Sequence, residues 1–573
     1  MKKAIAWVTL ALGLLPISVA AQGQVNVTIP SGTIIGSSVD DVEIFSGIPF
    51  AEPPLGELRF KPPQPLSKHL GDFDATKKAK LCSQGPIFSA SSNLRVAPLA
   101  LEAERESFGN PVPGADQSED CLTVTIHRPA GIEAGANLPV LFYIFGGGFL
   151  IGGTSVLVNN PTLFVQTGID LGKPFIFAAV NYRVGGWGFM PGAEILRDGS
   201  ANAGLLDQRK GLEWVADNIA AFGGDPSKVT IWGQSSGSIS VFDQLVLYDG
   251  DNTYNGNPLF RAAIMNSGSV TPVDPVDAAK PQALYNHVVR EANCEGDDSL
   301  ACLRGLENED FAAAANKIPG LISYESLALS YLPRPDGTVL TASPHVLARE
   351  GKFPSVPMIF GTQEDEGTLF SFFQGDMGTT DIITDYLDSL YFPNADRSLV
   401  KEFVETYSER LEDGSPYRRG NFTGLFSYPG KKRIASILGD IVFTLVRRWT
   451  LETIAEVSPE TALWSSFASY NYNLTWDILG LGTKHGSDTD VFFARNNSYF
   501  PSITGRTYYI NFVYNGDPNG DPNEGLDVNV TWPGWKEDRQ LLWYNATENG
   551  YLADDFRNGS YNFIKEHIDS LVF

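Results

Sequence analysis

Val229-Thr230-Ile231-Trp232-Gly233-Gln234-Ser235-Ser236-Gly237-Ser238-Ile239-Ser240-Val241-Phe242 is the stretch that decides the fold. Its first four residues are a β-prone apolar run, and its last five read as a helix. Between them stands Gly-x-Ser-x-Gly, the signature of a nucleophile elbow, in which a serine is carried on a sharp turn from strand to helix. The glycines allow close backbone approach around the strained serine, and the following helix points its N-terminal N–H groups toward the serine oxygen. Taken alone the pentapeptide is weak, since a chain with 57 glycines meets it by chance. Its meaning depends on what the rest of the chain supplies.

Working outward, Leu138 to Phe145 reads as a buried strand running into Gly146-Gly147-Gly148-Phe149, where backbone N–H groups can face a ligand. Phe175 to Tyr182 is a second strand. Ala203 to Phe222 is expected to be helical, with Leu205, Leu206, Leu212, Val215, Ile219 and Phe222 inward, ending at Gly223-Gly224-Asp225-Pro226. Phe260 to Asn266, Val356 to Thr362 and Ala462 to Tyr470 are further strands, and Tyr561 to Phe573 a closing helix. Strands alternating with helices predict an α/β fold around a large, mostly parallel sheet. With no repeat and no evident linker, one domain over 21–573 with long insertions is the expectation.

The charge balance, 42 Lys and Arg against 67 Asp and Glu, gives a net charge of −25. That argues against a nucleic-acid partner and against electrostatic docking to anionic membranes, both of which need clustered cations. Met1-Lys2-Lys3 followed by the apolar Ala4 to Val19 and small residues reads as a secretory signal over 1–20, with no transmembrane segment after it. Export agrees with seven candidate glycosylation sequons, at Asn26, Asn421, Asn473, Asn496, Asn529, Asn545 and Asn558. In an exported chain the four cysteines imply disulfides, and of the three connectivities the sequence-local one, Cys82–Cys121 with Cys294–Cys302, is expected. The first would close a loop of about 40 residues, worth about 4 kcal/mol in the chain-entropy picture. Within that loop Val96, Leu99, Ala100 and Ala103 share a helical face, so 82–121 is a candidate lid, although an ordinary surface helix has the same pattern. Nothing suggests a metal or another cofactor. Oligomeric state has no sequence signal.

A serine nucleophile needs a base, and the chain has six histidines. When the order is serine, acid, histidine, the base lies downstream among His287, His345, His485 and His567. His485 alone sits in a glycine-bounded loop after a late strand. The acid is expected at a strand end, where Gln363-Glu364-Asp365-Glu366-Gly367 stands, and the pattern leaves Glu364, Asp365 and Glu366 all open.

The chain resembles the type-B carboxylesterase/lipase family, which includes the cholinesterases, and within it the secreted fungal lipases of the Candida rugosa and Geotrichum type. The resemblance runs over the mature chain. It is carried by Gly47-Ile48-Pro49-Phe50-Ala51-Glu52-Pro53-Pro54-Leu55-Gly56, Ser118-Glu119-Asp120-Cys121-Leu122, Gly146-Gly147-Gly148-Phe149, the elbow, Leu329-Ser330-Tyr331-Leu332-Pro333-Arg334-Pro335-Asp336-Gly337, Asp365-Glu366-Gly367-Thr368, Leu438-Gly439-Asp440 and the His485 loop. It implies an α/β-hydrolase fold and a triad of Ser235 as nucleophile, His485 as base and Glu366 as the orienting acid. It further implies an oxyanion hole from the N–H groups of Gly147, Gly148 and Ser236, and the same two disulfides, the first holding a lid. Phe149, Leu321, Ile322, Leu327, Leu329, Leu369 and Phe370 fall where that branch lines its acyl pocket, and all are apolar.

Two positions depart from the family pattern: Gln234 stands where glutamate is common, and Ser236 where alanine is common. Gln234 removes a negative charge beside the site, and the 82–121 loop contains no Trp. Both count against a choline ester. The expectation is thus a secreted serine ester hydrolase acting on long-chain esters, its partner an ester or lipid substrate at an oil–water interface. A carboxylesterase for shorter or aromatic esters and, more remotely, a non-catalytic adhesion protein are the alternatives.

Overall fold

The computed structural model describes residues 23–87, 116–155, 161–425, 427–470, 477–494, 497–520 and 530–573. The signal segment, the helical pattern inside the 82–121 loop, and Asn473, Asn496 and Asn529 lie outside them.

A 13-stranded sheet forms the spine. Its strands in chain order are β1 (Gly23–Ile29), β2 (Gly32–Val39), β3 (Val42–Pro49), β4 (Gly71–Asp74), β5 (Thr123–Pro129), β6 (Leu138–Ile144), β7 (Ile176–Val180), β8 (Gly224–Gln234), β9 (Ala262–Asn266), β10 (Met358–Gln363), β11 (Leu463–Ser469), β12 (Gln540–Asn545) and β13 (Asn549–Ala553). Across the sheet they run β1-β2-β3-β5-β7-β6-β8-β9-β10-β11-β12-β13, with β4 beside β2. From β7 to β12 every neighbouring pair is parallel, while both flanks are antiparallel except where β4 runs parallel to β2. Ile231 of β8 pairs with Phe142 of β6 on one side and Ala263 of β9 on the other. A strand with partners on both edges and helices on both faces is apolar throughout, which is why Val229 to Trp232 does not alternate.

The helices that bear on the site are α1 (Pro161–Asp170), α2 (Ala203–Asn218), α3 (Ser236–Val246), α4 (Lys431–Gly439), α5 (Leu445–Val457), α6 (Phe500–Asn515) and α7 (Asn558–His567). The helix expected over 203–222 tightens into a 3₁₀ turn, Ile219–Phe222, that ends at Gly223 with φ +88°, and Leu206 is only half-buried. The closing helix starts three residues earlier than expected and stops at His567. The C-terminal residue is held instead by backbone bonds, the Phe573 N–H donating to the Pro272 carbonyl and the Asp274 N–H to the Phe573 carbonyl. Behind the elbow, the Trp232 indole stacks on Phe493 at 5.0 Å and donates to Asn266 Oδ1 at 2.7 Å. This packing holds β8 rigid directly below the serine.

Both sequence-local disulfides are formed, Cys82–Cys121 and Cys294–Cys302. Among the described sequons, Asn26, Asn421 and Asn558 are exposed. Asn545 is 5% exposed at the end of β12, a position that leaves no room for a glycan in the folded chain. No described helix is long and apolar enough to cross a membrane, and no described cluster of ligating side chains fits a metal.

Candidate active site

Ser235 sits between β8 and α3 at φ +59° and ψ −129°, a conformation rare outside glycine. The flanking glycines make it possible: a Cβ on Gly233 would lie 2.1 Å from the Gly237 carbonyl oxygen, and one on Gly237 equally close to that of Ile144. The strain is held by the Ser235 N–H donating to Asn266 (2.9 Å) and by the first bonds of α3, from Ser238 and Ile239, onto the Ser235 carbonyl.

Two other strand ends converge on the serine. His485 Nε2 lies 2.8 Å from Ser235 Oγ, and His485 Nδ1 lies 2.6 Å from Glu366 Oε2. The other Glu366 oxygen accepts from the Gln363 N–H at 2.7 Å and the Thr362 hydroxyl at 3.2 Å. All three side chains are buried. The remaining downstream histidines are elsewhere: His345 is bonded to Ser343 and Asp569, with burial holding it down at about 4, and His287 faces the Lys317 carbonyl.

The acidic cluster is buried, not a solvated loop, and each carboxylate has a different task. Glu364 pairs with Arg418. Asp365 accepts from the Ser415 hydroxyl and Tyr417 N–H (both 2.8 Å) through one oxygen and from the Thr483 N–H (3.0 Å) through the other. Its own N–H donates to the Thr483 carbonyl. Asp365 therefore ties the Glu366 turn to the loop that carries His485 two residues later. Burial, with the neighbouring Glu364 charge, pushes its carboxyl up to about 7. Asp488 is likewise raised to about 7 by burial and by the Glu366 charge.

The glycine turn after β6 lies against the serine. A Cβ on Gly146 would meet the Gln234 carbonyl at 2.4 Å and Ser235 Cβ at 2.8 Å. Gly147 and Gly148 have φ of +121° and +63°, and no described residue accepts from their N–H groups or from that of Ser236. Three donors are thus left open beside Ser235, an arrangement suited to a developing oxyanion.

The apolar candidates divide. Leu321 packs over Gly148, and Phe370 lies 5.1 Å from the His485 ring. Phe149 is fully buried behind the glycine turn against Phe189. Ile322, Leu327, Leu329 and Leu369 are buried without a contact to the triad that the structure singles out. Two further side chains lie against His485. Gln234 Nε2 approaches its Nε2 at 3.4 Å, and the Phe443 ring lies 4.4 Å from the imidazole. Gln234 was visible as a departure from the family pattern. Phe443 had no signal in the sequence.

A parallel sheet with a serine elbow after a central strand, and an acid and a histidine at the ends of later strands, defines the α/β-hydrolase fold. The chain belongs to the carboxylesterase family, whose profile matches residues 23–564. It is 52% identical over 554 residues to the secreted triacylglycerol lipase LIP1 of Gibberella zeae, covering 96% of this chain and 91% of that one. It is 41% identical over 566 residues to lipase 4 of Diutina rugosa, covering 96% and 97%. The crystal structure of Aspergillus niger EstA matches with a TM-score of 0.78 at 23% identity, covering 96% of this chain and 99% of that one, a likeness of fold.

Proposed function

We propose that this protein is a secreted ester hydrolase that cleaves long-chain acyl esters through an acyl-enzyme on Ser235. The observation that carries the reading is the buried line Ser235 Oγ–His485 Nε2–His485 Nδ1–Glu366 Oε2, with steps of 2.8 and 2.6 Å, beside three unsatisfied backbone donors. Ser235 Oγ attacks the ester carbonyl while its proton passes to His485 Nε2. Glu366 holds the other ring nitrogen as a donor and stabilises the imidazolium. The N–H groups of Gly147, Gly148 and Ser236 receive the oxyanion, each such donor being worth roughly 3–4 kcal/mol in the transition state. The intermediate collapses as His485 protonates the leaving alcohol, and water repeats the sequence to release the acid. Preference for a long acyl chain rests on the relatives named as lipases and on the apolar Leu321 and Phe370 at the site.

A serine-directed phosphonate is expected to label Ser235 and abolish hydrolysis. An intact, unlabelled Ser235 in an active protein would remove the mechanism. Rates on p-nitrophenyl esters are expected to favour long acyl chains, with a rise above the substrate's solubility limit. A maximum at acetate or butyrate with no rise assigns the site to short esters instead.

A further inference from the structure

Between α4 and α5 the backbone leaves α-helical bonding for one π turn, Asp440–Thr444. Such turns are rare and have to be held in place. This one is pinned at both ends. Asp440, 1% exposed, accepts from Arg557 Nε (2.7 Å) and Nη2 (2.6 Å) and from the Tyr407 hydroxyl (3.0 Å). Thr444 Oγ1 lies 3.3 Å from Thr362 Oγ1, whose hydroxyl donates to Glu366. Just before the turn, Gly439 runs backbone to backbone against Gly367, where a Cβ on Gly367 would lie 2.7 Å from the Gly439 nitrogen.

The turn solves a geometric problem. In an α-helix residue i+4 faces the same way as i, but i+5 points about 140° away. Gly439 must face Gly367, and Thr444 must face Thr362 on the same strand and turn, five residues on. The wider π turn keeps Thr444 on the Gly439 side, while Phe443, four residues after Gly439, shares that side in either winding. The Phe443 ring, 2% exposed, then lies over His485 with centroids 4.4 Å apart and planes 31° from parallel. Phe370 leans on the same imidazole at 5.1 Å and 59°, and stacks on Phe443 at 5.9 Å.

We infer that Phe443, whose face lies on the His485 imidazole, is a positioning residue that stabilises the imidazolium formed during acyl transfer. This rests on the proposed triad. An aromatic face carries negative quadrupole density and attracts a cation lying over it, more strongly where water is excluded. The imidazole carries a full positive charge only after it takes the Ser235 proton, so the attraction favours the transition state over the resting enzyme. Glu366, in the plane of the ring, acts on Nδ1–H. Phe443 acts from above, and the two contributions are separable.

The test replaces Phe443 by mono-, tri- and pentafluorophenylalanine, which drain the ring face of charge at nearly constant shape, with Phe443→Leu as a second variant. On p-nitrophenyl butyrate, a short ester that keeps acyl-chain contacts out of the measurement, kcat is expected to fall in graded steps, reaching about 10-fold for the pentafluoro ring and for leucine, with KM unchanged. A flat fluorine series in a protein that hydrolyses ester and takes the phosphonate on Ser235 overturns this inference and leaves the triad standing. A parent protein that neither hydrolyses ester nor takes the label removes both.

Discussion

Replacing Glu366 by glutamine tests the site at the atom where its logic is sharpest. The substitution keeps the shape of the side chain, and the surroundings decide which way the amide turns. One carboxylate oxygen receives two donors, the Gln363 N–H and the Thr362 hydroxyl, so the amide oxygen must stay there. The amide nitrogen is then placed at the 2.6 Å contact with His485 Nδ1. As a donor it forces Nδ1 to accept, which moves the ring proton to Nε2, the atom that has to take the Ser235 proton. The enzyme folds around the wrong tautomer. In a serine protease triad the equivalent change costs about 10⁴-fold in kcat, roughly 5.5 kcal/mol of transition-state stabilisation. The assay is kcat/KM on p-nitrophenyl esters, with the melting temperature as a check that the fold persists and Asp365→Asn as the control. Asp365 touches no reacting atom. Its amide would turn a donor toward the Thr483 N–H, costing about 1–3 kcal/mol of stability but no more than about 10-fold in rate. Glu366→Gln within 10-fold of the parent, with Asp365→Asn inactive, would falsify the assignment.

Gln234→Glu sets a carboxylate where an amide nitrogen now lies 3.4 Å from His485 Nε2, and a charge that close favours the imidazolium. The acidic limb of the kcat/KM profile is expected to move up by about one pH unit, and an unmoved limb refutes the placement. Asp488 is raised from 3.8 to about 7, so between about pH 4 and 7 the folded state keeps a proton that the unfolded chain has released. Stability is lost as pH rises through that window, whereas Asp488→Asn has no proton to lose. Urea titrations at pH 4 and pH 7 are expected to show the variant gaining on the parent by on the order of 4 kcal/mol between the two. Equal pH dependence in both proteins contradicts the buried, proton-holding carboxyl.

The central sheet is legible because its strands are apolar runs with glycine at their ends, as in β6 and β8. The flanks are less so. Thr123 to Pro129, which forms β5, carries His127 and Arg128 in its buried pattern, and the Gln540–Ala553 hairpin is too short and too mixed to stand out from the loops around it. Helix boundaries drift for a similar reason. Ile219 and Phe222 keep helical spacing on the apolar face, yet the backbone beneath them has tightened to 3₁₀, since a period of three differs little from 3.6 over four residues.

The site itself shows where residue-level reading stops. Ser235 announces itself because the strain of its backbone demands glycines at fixed offsets, and that demand is written locally. Glu366 announces nothing locally, as it stands in a run of three carboxylates with the same charge. What separates them is partners 50 to 119 residues away: Arg418 for Glu364, Ser415 and Thr483 for Asp365, His485 for Glu366. Only the resemblance to a family picks the third of the three. The cluster also explains why three acids can be buried side by side in so acidic a chain. Consecutive residues of a turn point in different directions, so each carboxylate reaches its own donors. Two of them hold the loops on either side still, so that the third meets His485 at a fixed angle. Asp365 and Asp440 stand in motifs shared with the family, yet the demand that links them with Thr483 and Thr444 is written in no one stretch, and their partners come to light only when the chain is folded.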